Sequence, residues 1–293
     1  MALRRRPRRQ PGCRWRLTGA RDKHGGAKGG RVLAEGVVAT STLAGKVALV
    51  TGGSRGIGRG IAARLAADGA AVAFSYIANE AGARETQEAL TALGADAEAV
   101  RADSGDVEQI ARLANRVAER FGKIDILVSN AGVEYFGAIQ DTRPEDFDRV
   151  FGVNTRGQFF LVQQALPFMP SGGRIVCSSS VSVGTPFARH AVYAASKGAV
   201  EAMVRNLALD LGPRGITINA VAPGPVMTDM AKETTAEYLR DYPGWALEDV
   251  IRAKVAAGRL GTPGDIAHVI AYLVSDQASW ITGQTIHVDG GTH

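Results

Sequence analysis

Residues 47–58 read VALVTGGSRGIG, a short apolar run that passes directly into a glycine-rich segment. An apolar run bounded by turn residues is typical of a buried strand, and residues 57–67 continue with the pattern of a helix. Glycine permits a tight turn and lets a phosphate approach the backbone, while free N–H groups at the start of a helix attract that phosphate. The segment therefore predicts a dinucleotide-binding turn. Its predicted contacts with the dinucleotide are Gly52, Ser54, Arg55, Gly56, Ile57 and Gly58.

Strands and helices continue to alternate after this turn, with short connections between them. Because parallel strands require crossover connections, the alternation predicts an α/β fold, a Rossmann-type doubly wound parallel sheet with helices on both faces. No linker or repeat divides the chain, so we expect a single domain at residues 44–293. The further strands are predicted at 71–74, 97–102, 124–128, 173–178, 215–221 and 285–288, and the further helices at 80–93, 106–121, 145–168, 191–212 and 264–275.

The first residues differ from the rest in composition. Residues 1–40 hold eleven Lys and Arg against two Asp and Glu, a net charge of +9, so the remainder of this chain of net charge +5 is mildly acidic at −4. A basic segment without hydrophobic periodicity predicts a disordered N-terminal extension, residues 1–43. A transit peptide, an RNA- or membrane-binding arm and an upstream start codon chosen in error are the alternatives. The acidic remainder predicts no nucleic-acid partner.

The two cysteines, Cys13 and Cys177, belong to no Cys/His cluster in the sequence. Their placement predicts neither a metal site nor a disulfide framework, and it favours two free thiols in a reducing cytoplasm. No stretch approaches the ~20 apolar residues that span a bilayer, so we predict a cytoplasmic protein without a membrane partner.

The end of the second strand bears on the choice between NAD and NADP. Sites for NAD usually place a carboxylate about 20 residues after the glycines, where it binds the ribose 2′-hydroxyl. Here the strand ends near Tyr76, and no carboxylate occurs through Asn79. Arg55 lies inside the glycine turn, where a guanidinium group can pair with a 2′-phosphate. These features predict NADP(H), with Arg55, Tyr76 and Asn79 among its contacts.

Tyr193 and Lys197 lie four residues apart on the helix predicted at 191–212, so they share one face of it. A phenol ionises near pH 10, but an adjacent ammonium group favours the phenolate, so we expect Lys197 to lower the pKa of Tyr193. Three serines at 178–180 follow a strand at the carboxyl edge of the sheet, where ligands bind in folds of this kind. A hydroxyl group there can hold a substrate oxygen against the phenol.

Four motifs occur in the order and spacing of a known family. Residues 51–58 fit Thr-Gly-x-x-x-Gly-x-Gly, residues 129–132 fit Asn-Asn-Ala-Gly except at Ser129, residues 193–197 fit Tyr-x-x-x-Lys, and a Pro-Gly pair followed by Thr228 comes after the sixth strand. With these motifs, residues 44–293 resemble the short-chain dehydrogenases/reductases. The resemblance implies an NADP(H)-dependent oxidoreductase that interconverts a ketone and a secondary alcohol of a small-molecule substrate.

The resemblance also implies roles for particular residues. Tyr193 is the general acid in reduction, Lys197 lowers its pKa and binds the nicotinamide ribose, and Asn154 holds a water that connects Lys197 to solvent. Ser180 is the expected catalytic serine because it lies 13 residues before Tyr193, and Ser179 stays open as the alternative. The cofactor contacts that the resemblance adds are Asp103, Asn130, Ala131, Gly132, Pro223, Gly224, Val226 and Thr228.

Within the family, the chain is most similar to reductases of polyhydroxynaphthalenes and related polyketide ketones, on segments such as 148–160 and 219–224. A 3-oxoacyl thioester reductase and a sugar or steroid alcohol dehydrogenase are alternatives, as is a cofactor-sensing Rossmann protein without catalysis. Residues 226–258 have the length of a lid over the substrate. Their aromatic and methionine side chains either stack on a planar substrate or pack on the core. They are Met227, Met230, Tyr238, Tyr242 and Trp245.

Members of the family commonly form tetramers, so the resemblance implies a homotetramer that packs through the helices at 145–168 and 191–212. The apolar run of residues 159–162 agrees with burial in such an interface. Burial in the core of one subunit would give the same pattern.

Overall fold

The structure is a computed structural model that describes residues 43–292. The predicted basic extension therefore lies outside the described residues, apart from Leu43. The described strands form one parallel sheet in the order β3-β2-β1-β4-β5-β6-β7. Their bounds are β1 Val47–Val50, β2 Ala71–Tyr76, β3 Ala97–Arg101, β4 Ile126–Ser129, β5 Arg174–Ser178, β6 Thr217–Pro223 and β7 Thr285–Val288.

Helices connect the strands and cover both faces of the sheet. Their bounds are α1 Gly56–Ala67, α2 Glu80–Ala92, α3 Val107–Phe121, α4 Pro144–Phe151, α5 Gln158–Ala165, α6 Ala191–Leu211, α7 Asp229–Leu239, α8 Leu247–Lys254 and α9 Pro263–Leu273. The fold class predicted from the alternation is confirmed. The ends of the elements differ from the prediction by one or two residues in most cases, as expected where helix and strand ends fray.

The sheet separates two hydrophobic cores, because successive side chains of a strand point to opposite faces. On one face, Val50 of β1 packs with Leu65 of α1 and Ile270 of α9. On the other face, Leu49 packs with Leu113 of α3 and with residues of α5 and α6. Each fully buried aliphatic side chain contributes about 1.5–3 kcal/mol of transfer free energy, so these two layers hold the central strands rigidly in place.

The helix predicted at 145–168 is not a single α-helix. A π-helical segment, Gly152–Gly157, separates α4 from α5, and a 3-10 turn, Leu166–Phe168, ends the connection to β5. Gly157 lets this segment approach the loop after β3, because a Cβ there would lie 2.0 Å from the backbone oxygen of Ser104. The π segment carries Asn154, which is fully buried.

The segment predicted to be a lid contains α7 and α8. It follows β6 and is pinned at its base by a parallel bridge between Val226 and Gly261. Among residues 43–292, none of the helices has the length and apolar character needed to cross a membrane.

Candidate active site

The predicted site residues gather at the carboxyl edge of the sheet. All strands are parallel, so the loops that follow β1, β4, β5 and β6 lie along the same edge, and these loops carry the glycine turn, Asn130, Ser180 and Gly224. Helix α6 contacts this edge at the end of β5, where Lys197 Nζ donates a 2.9 Å hydrogen bond to the backbone oxygen of Ser178. Ligands of open α/β sheets bind at this edge.

The glycine turn has a backbone that side chains would obstruct. Gly52 and Gly56 have φ values of 69° and 55°, and a Cβ at Gly58 would lie 2.1 Å from the backbone oxygen of Gly52. Helix α1 begins here with Arg55 as its N-cap, without a side-chain cap and without an acidic residue in its first turn. Its first N–H groups are therefore available to an anion, so the turn fits the phosphates of a dinucleotide.

The loop after β4 is tied to the glycine turn by Thr51, which the sequence analysis did not select. Thr51 Oγ1 accepts hydrogen bonds from the backbone N–H groups of Asn130 and Ala131, both at 3.0 Å. Asn130 Nδ2 in turn donates to the backbone oxygen of Thr51 at 2.9 Å. Thr51 is the first residue of the Thr-Gly-x-x-x-Gly-x-Gly motif, but only the structure shows that it ties the two loops together.

The residues predicted to contact the adenosine part of the cofactor lie at the ends of β2 and β3. Tyr76 ends β2, and Asn79 caps α2 by accepting a 3.0 Å hydrogen bond from the backbone N–H of Gly82. Asp103 Oδ1 accepts from the backbone N–H of Gly105 at 2.7 Å. The Asn79 and Asp103 side chains thus shape the two loops through local backbone hydrogen bonds.

Arg55 extends from the glycine turn to the lid. Its Nη1 lies 3.1 Å from Glu233 Oε1 of α7, and both side chains are largely exposed. An exposed pair of this kind contributes between 0 and about 1 kcal/mol, so Glu233 is a partner that a phosphate group can displace.

The residues after β6 close the site from the opposite side. Pro223 ends β6, and the next residue, Gly224, lies so close to Asp289 that a Cβ would approach its Cα to 2.6 Å. Thr228 caps α7 by accepting a 3.1 Å hydrogen bond from the backbone N–H of Ala231. A Cβ at Gly56 would lie 3.4 Å from the Thr228 Cγ2 atom, so the lid begins directly over the glycine turn.

The two candidate serines point to different partners. Ser180 hydrogen-bonds to the Tyr193 phenol, and its Oγ also accepts from the Ser182 hydroxyl at 3.0 Å. Ser179 Oγ instead donates to the Glu201 carboxylate at 2.7 Å. The hydroxyl group beside the phenol is therefore that of Ser180.

Lys197 is buried between the loops after β4 and β5. A Cβ at Gly132 would lie 3.3 Å from Lys197 Nζ and 3.2 Å from Asn154 Oδ1, so a side chain there would crowd these groups. Burial lowers the pKa of Lys197 to about 8, against weaker opposing effects of Cys177 and Glu134. An amine in this range exchanges protons near neutral pH.

Tyr193 differs from the expectation in its ionisation. Burial raises the pKa of the Tyr193 phenol well above its usual range, the Glu134 carboxylate raises it further, and the hydrogen bond with Ser180 lowers it in part. The Lys197 Nζ lies 5.7 Å from the centre of the phenol ring and donates to Ser178 rather than to the phenol. The expected net lowering of the Tyr193 pKa is thus wrong, because burial and the Glu134 carboxylate raise it.

Asn154 braces the loop that carries Gly132. Its Oδ1 accepts from the backbone N–H of Val133 at 2.9 Å, and its Nδ2 donates to the oxygen of the same residue at 2.9 Å and to Ser196 Oγ at 3.1 Å. Gln158, which the sequence analysis did not select, donates to the backbone oxygens of Asn154 (2.8 Å) and Ser178 (3.0 Å). The predicted water-holding role of Asn154 stays a prediction.

Three further side chains lie beside Tyr193, and of these the sequence analysis named only Tyr238, as a residue of the predicted lid. His190 stacks on Tyr193 with ring centres 4.5 Å apart, its Nε2 lies 3.4 Å from Glu134 Oε1, and Tyr238 donates a 2.6 Å hydrogen bond to the same oxygen. His190 lies at the N-cap position of α6, three residues before Tyr193, and this closeness in the chain was the signal that the sequence contained. Glu134 had no such signal.

Within residues 43–292, no group of His, Cys, Asp and Glu side chains is arranged to hold a metal ion. The glycine turn, the uncapped start of α1 and the narrow space at Gly132 fit a nicotinamide dinucleotide laid across the carboxyl edge. The residues that would hold it are those of the glycine turn, the loop after β4 and the loop after β6.

Comparisons with known proteins agree with this geometry. Residues 52–293 match a family model described as enoyl-(acyl carrier protein) reductase. Versicolorin reductase 1 of Aspergillus parasiticus is 45% identical over 255 residues, which cover 85% of this chain and 97% of that protein. The trihydroxynaphthalene reductase of Colletotrichum orbiculare is 42% identical over 261 residues, which cover 86% of this chain and 91% of that protein.

Solved structures show the same fold. The landomycin C-6 ketoreductase LanV, solved with bound NADP and rabelomycin, superposes with a TM-score of 0.75 at 39% identity, covering 86% of this chain and 97% of that one. The matched family model spans most of the chain, and both relatives are reductases. The chain therefore belongs to the short-chain dehydrogenase/reductase family, the nicotinamide-dependent oxidoreductases that interconvert ketones and alcohols.

Proposed function

We propose that this chain reduces a ketone of a fused-ring phenolic substrate to the secondary alcohol, with NADPH as the cofactor and Tyr193 as the proton donor. The observation that carries the proposal is the contact of Tyr193 with Ser180, beside the buried Lys197 and at the edge that holds the glycine turn. An acid, a hydroxyl group that can bind an oxygen, and a cation are the groups that reduction of a carbonyl requires.

Each residue has a distinct part in this reaction. When bound, the reduced nicotinamide supplies the hydride for the carbonyl carbon. Ser180 holds the carbonyl oxygen by a hydrogen bond, and Tyr193 transfers its phenolic proton to that oxygen. The phenolate that remains is costly in a buried site, and the nearby Lys197 ammonium group offsets this cost. Because burial lowers the pKa of Lys197 to about 8, the amine can take part in returning a proton to the phenol.

NADP(H) rather than NAD(H) is supported by three observations. No carboxylate side chain follows β2 through Asn79, Arg55 extends from the glycine turn, and the similar ketoreductase LanV was solved with NADP. The guanidinium of Arg55 would exchange its contact with Glu233 for the 2′-phosphate.

A fused-ring phenolic substrate is supported by the relatives and by the lining of the site. A trihydroxynaphthalene reductase and a ketoreductase with bound rabelomycin are both similar over most of this chain. Aromatic rings from the loops after β4 and β5 and from α7 form one cluster, which contacts Tyr193 through His190. The alternatives from the sequence are an acyl thioester, which the following test separates, and a sugar or steroid alcohol.

The test measures the loss of NADPH absorbance with hydroxynaphthalene-derived ketones, quinones, diketones and acetoacetyl thioesters, for the native chain and for Tyr193→Phe. We expect turnover of a fused-ring ketone and a loss of at least about 1,000-fold in kcat in the variant, since its ring keeps the packing but lacks the proton. NADPH binding without turnover of any compound would contradict the proposal and favour a cofactor sensor. Turnover of acetoacetyl thioesters alone would contradict the substrate class.

We also propose that the protein acts as a homotetramer in the cytoplasm. Phe147 and Phe159 on α4 and α5 and Leu209 on α6 are exposed in the single chain, which supports contacts between subunits through these helices. The cytoplasmic location, and the lack of nucleic-acid and membrane partners, stay predictions from composition.

A further inference from the structure

A stack of three rings holds the catalytic tyrosine. His190 is stacked on Tyr193, with ring centres 4.5 Å apart and planes within 4°. Phe136 is in turn stacked on His190, with ring centres 4.4 Å apart and planes within 5°. His190 is almost completely buried. Because each ring contacts the next across its whole face, the orientation of His190 determines the plane in which the Tyr193 ring can lie.

A buried carboxylate lies at the edge of this stack. Glu134 Oε1 is 3.4 Å from His190 Nε2 and accepts a 2.6 Å hydrogen bond from Tyr238 of α7. Burial alone would raise the pKa of Glu134, but His190, Tyr238 and Thr234 lower it, and the net direction is downward. Glu134 is therefore a carboxylate at neutral pH, and it is a negative charge beside the acid of the reaction.

The backbone before His190 is built for this arrangement. Arg189 has a φ of 61°, and it is the one described residue other than glycine with a positive φ. Its backbone oxygen accepts a 2.8 Å hydrogen bond from Gly137, and its Nη1 lies 3.1 Å from Asp241 Oδ1. A strained backbone of this kind persists only where surrounding contacts impose it. The contacts of Arg189 with Gly137 and Asp241 therefore help to fix the position of His190.

The ionisable groups around Tyr193 come from each element packed against it. Lys197 and His190 belong to α6 and its start, Glu134 to the loop after β4, and Tyr238 to the lid helix α7. The loop after β5 contributes the neutral Ser180. Glu134 is thus the acidic side chain of this group, and its charge opposes the formation of a phenolate at Tyr193.

We propose that Glu134 and His190 are positioning residues for Tyr193, which hold its ring in plane and its hydroxyl group protonated for ketone reduction. The inference rests on the proposed function, in which Tyr193 supplies the proton. In each reduction the O–H bond of Tyr193 breaks as the substrate oxygen gains the proton, and the negative charge of Glu134 then favours return of a proton to the phenolate. Glu134 touches neither reactant, so it acts through Tyr193 and His190.

The experiment follows Tyr193 directly by carbon-13 NMR of protein labelled at the tyrosine ring carbon that bears oxygen. The chain has six tyrosines, and the resonance of Tyr193 is assigned by its loss in Tyr193→Phe. In Glu134→Gln, which keeps the shape of the side chain but removes its charge, we expect the apparent pKa of Tyr193 to fall by about one unit or more. Tyr238→Phe is the matched control, because it removes a hydrogen bond from Glu134 and leaves the charge. We expect no fall in that variant.

An unchanged titration of Tyr193 in a folded Glu134→Gln protein would overturn the inference, and so would an equal fall in Tyr238→Phe. If the glutamine variant fails to fold, as judged by its melting curve, Glu134→Leu replaces it with the same expected direction. The outcome is independent of turnover. A protein in which Tyr193→Phe keeps its activity would fail the proposed function, whereas an unshifted titration with an inactive Tyr193→Phe would fail this inference alone.

Discussion

Burial of the Lys197 amine costs folding free energy, and its part in the proposed reaction gives a reason for that cost. The amine is almost completely buried, and it donates a hydrogen bond to the backbone oxygen of Ser178, which also accepts one from Gln158. Burial lowers the pKa of Lys197 to about 8 from its usual 10.5, so the folded chain binds this proton more weakly than the unfolded chain does. Stability therefore falls as the pH drops from about 10.5 to about 8, because the folded chain must hold a desolvated charge.

We predict that Lys197→Met abolishes turnover but stabilises the cofactor-free protein by roughly 1–3 kcal/mol at pH 7. Methionine has a similar shape and no charge to desolvate. Urea unfolding of both proteins at pH 7 and at pH 10 measures the effect, and the difference between them should shrink at pH 10, where the amine is neutral. A variant less stable than the native chain at pH 7 would show that the ammonium group has a net favourable partner in the fold.

Arg55 determines the preference between the cofactors in our proposal. We predict that Arg55→Ala lowers kcat/KM for NADPH roughly tenfold to hundredfold, the worth of one or two charge-assisted hydrogen bonds, and leaves that for NADH nearly unchanged. Glu233→Gln is the matched control, since it removes the ion pair with Arg55 but keeps the guanidinium group. Equal losses with both cofactors in Arg55→Ala would mean that the side chain does not contact the 2′-phosphate.

The sequence predicted which residues lie together at the carboxyl edge, but it did not predict their electrostatic environment. Tyr193 and Lys197 carry a spacing that predicts a shared helix face, and the structure places them together. The pKa of Tyr193 depends instead on burial and on Glu134, which lies 59 positions away in the chain and becomes a neighbour only through the fold. A local pattern contains no information on such a long-range contact.

Among the elements, the π-helical segment between α4 and α5 determines where Asn154 points. The extra residue per turn lets the Asn154 amide face the loop after β4, where it holds the backbone of Val133 by two hydrogen bonds. π segments of this kind occur often at functional sites. The sequence predicted one continuous helix over 145–168, because apolar periodicity does not separate α-helical from π-helical turns.

Two glycines of the π segment make a matched pair for a prediction. A Cβ at Gly157 would lie 2.0 Å from the backbone oxygen of Ser104, which cannot move as a flexible side chain would, whereas a Cβ at Gly152 has only the Arg156 side chain 3.7 Å away. We predict that Gly157→Ala destabilises the protein by about 1–3 kcal/mol and lowers kcat by displacing Asn154. Gly152→Ala should be neutral or slightly stabilising. Thermal unfolding and turnover of both variants check this, and similar effects at the two positions would contradict it.

At the scale of the whole molecule, the parallel sheet brings distant parts of the sequence to one edge. The order β3-β2-β1-β4-β5-β6-β7 places the glycine turn after β1 next to the loop after β4, although Val50 at the end of β1 and Ser129 at the end of β4 are 79 positions apart in the chain. The alternation of strands and helices predicted this class of fold, since crossover connections leave few arrangements. The lid was predicted only as a long segment, because its two helices pack mainly on loops.

The exposed apolar side chains of α4, α5 and α6 lead to a prediction about assembly. The run at 159–162 is divided between two environments, with Phe159 40% exposed and Leu161 and Val162 buried in the core of the chain. We predict a tetramer of the 30.7 kDa chain in light scattering at micromolar concentration, and smaller species in Phe159→Asp. Leu93→Asp, at an exposed leucine on the far edge, should keep the native mass. A monomer of the native chain would contradict the proposed assembly.

Helix α7 is fastened to three loops that follow three different strands. Glu233 reaches Arg55 after β1, Tyr238 reaches Glu134 after β4, and the backbone oxygen of Glu237 accepts from Arg189 after β5 at 2.9 Å. A phosphate group that displaces Glu233 from Arg55 would remove one of these three attachments of α7, so we expect cofactor binding to change how firmly the helix is held beside Tyr193.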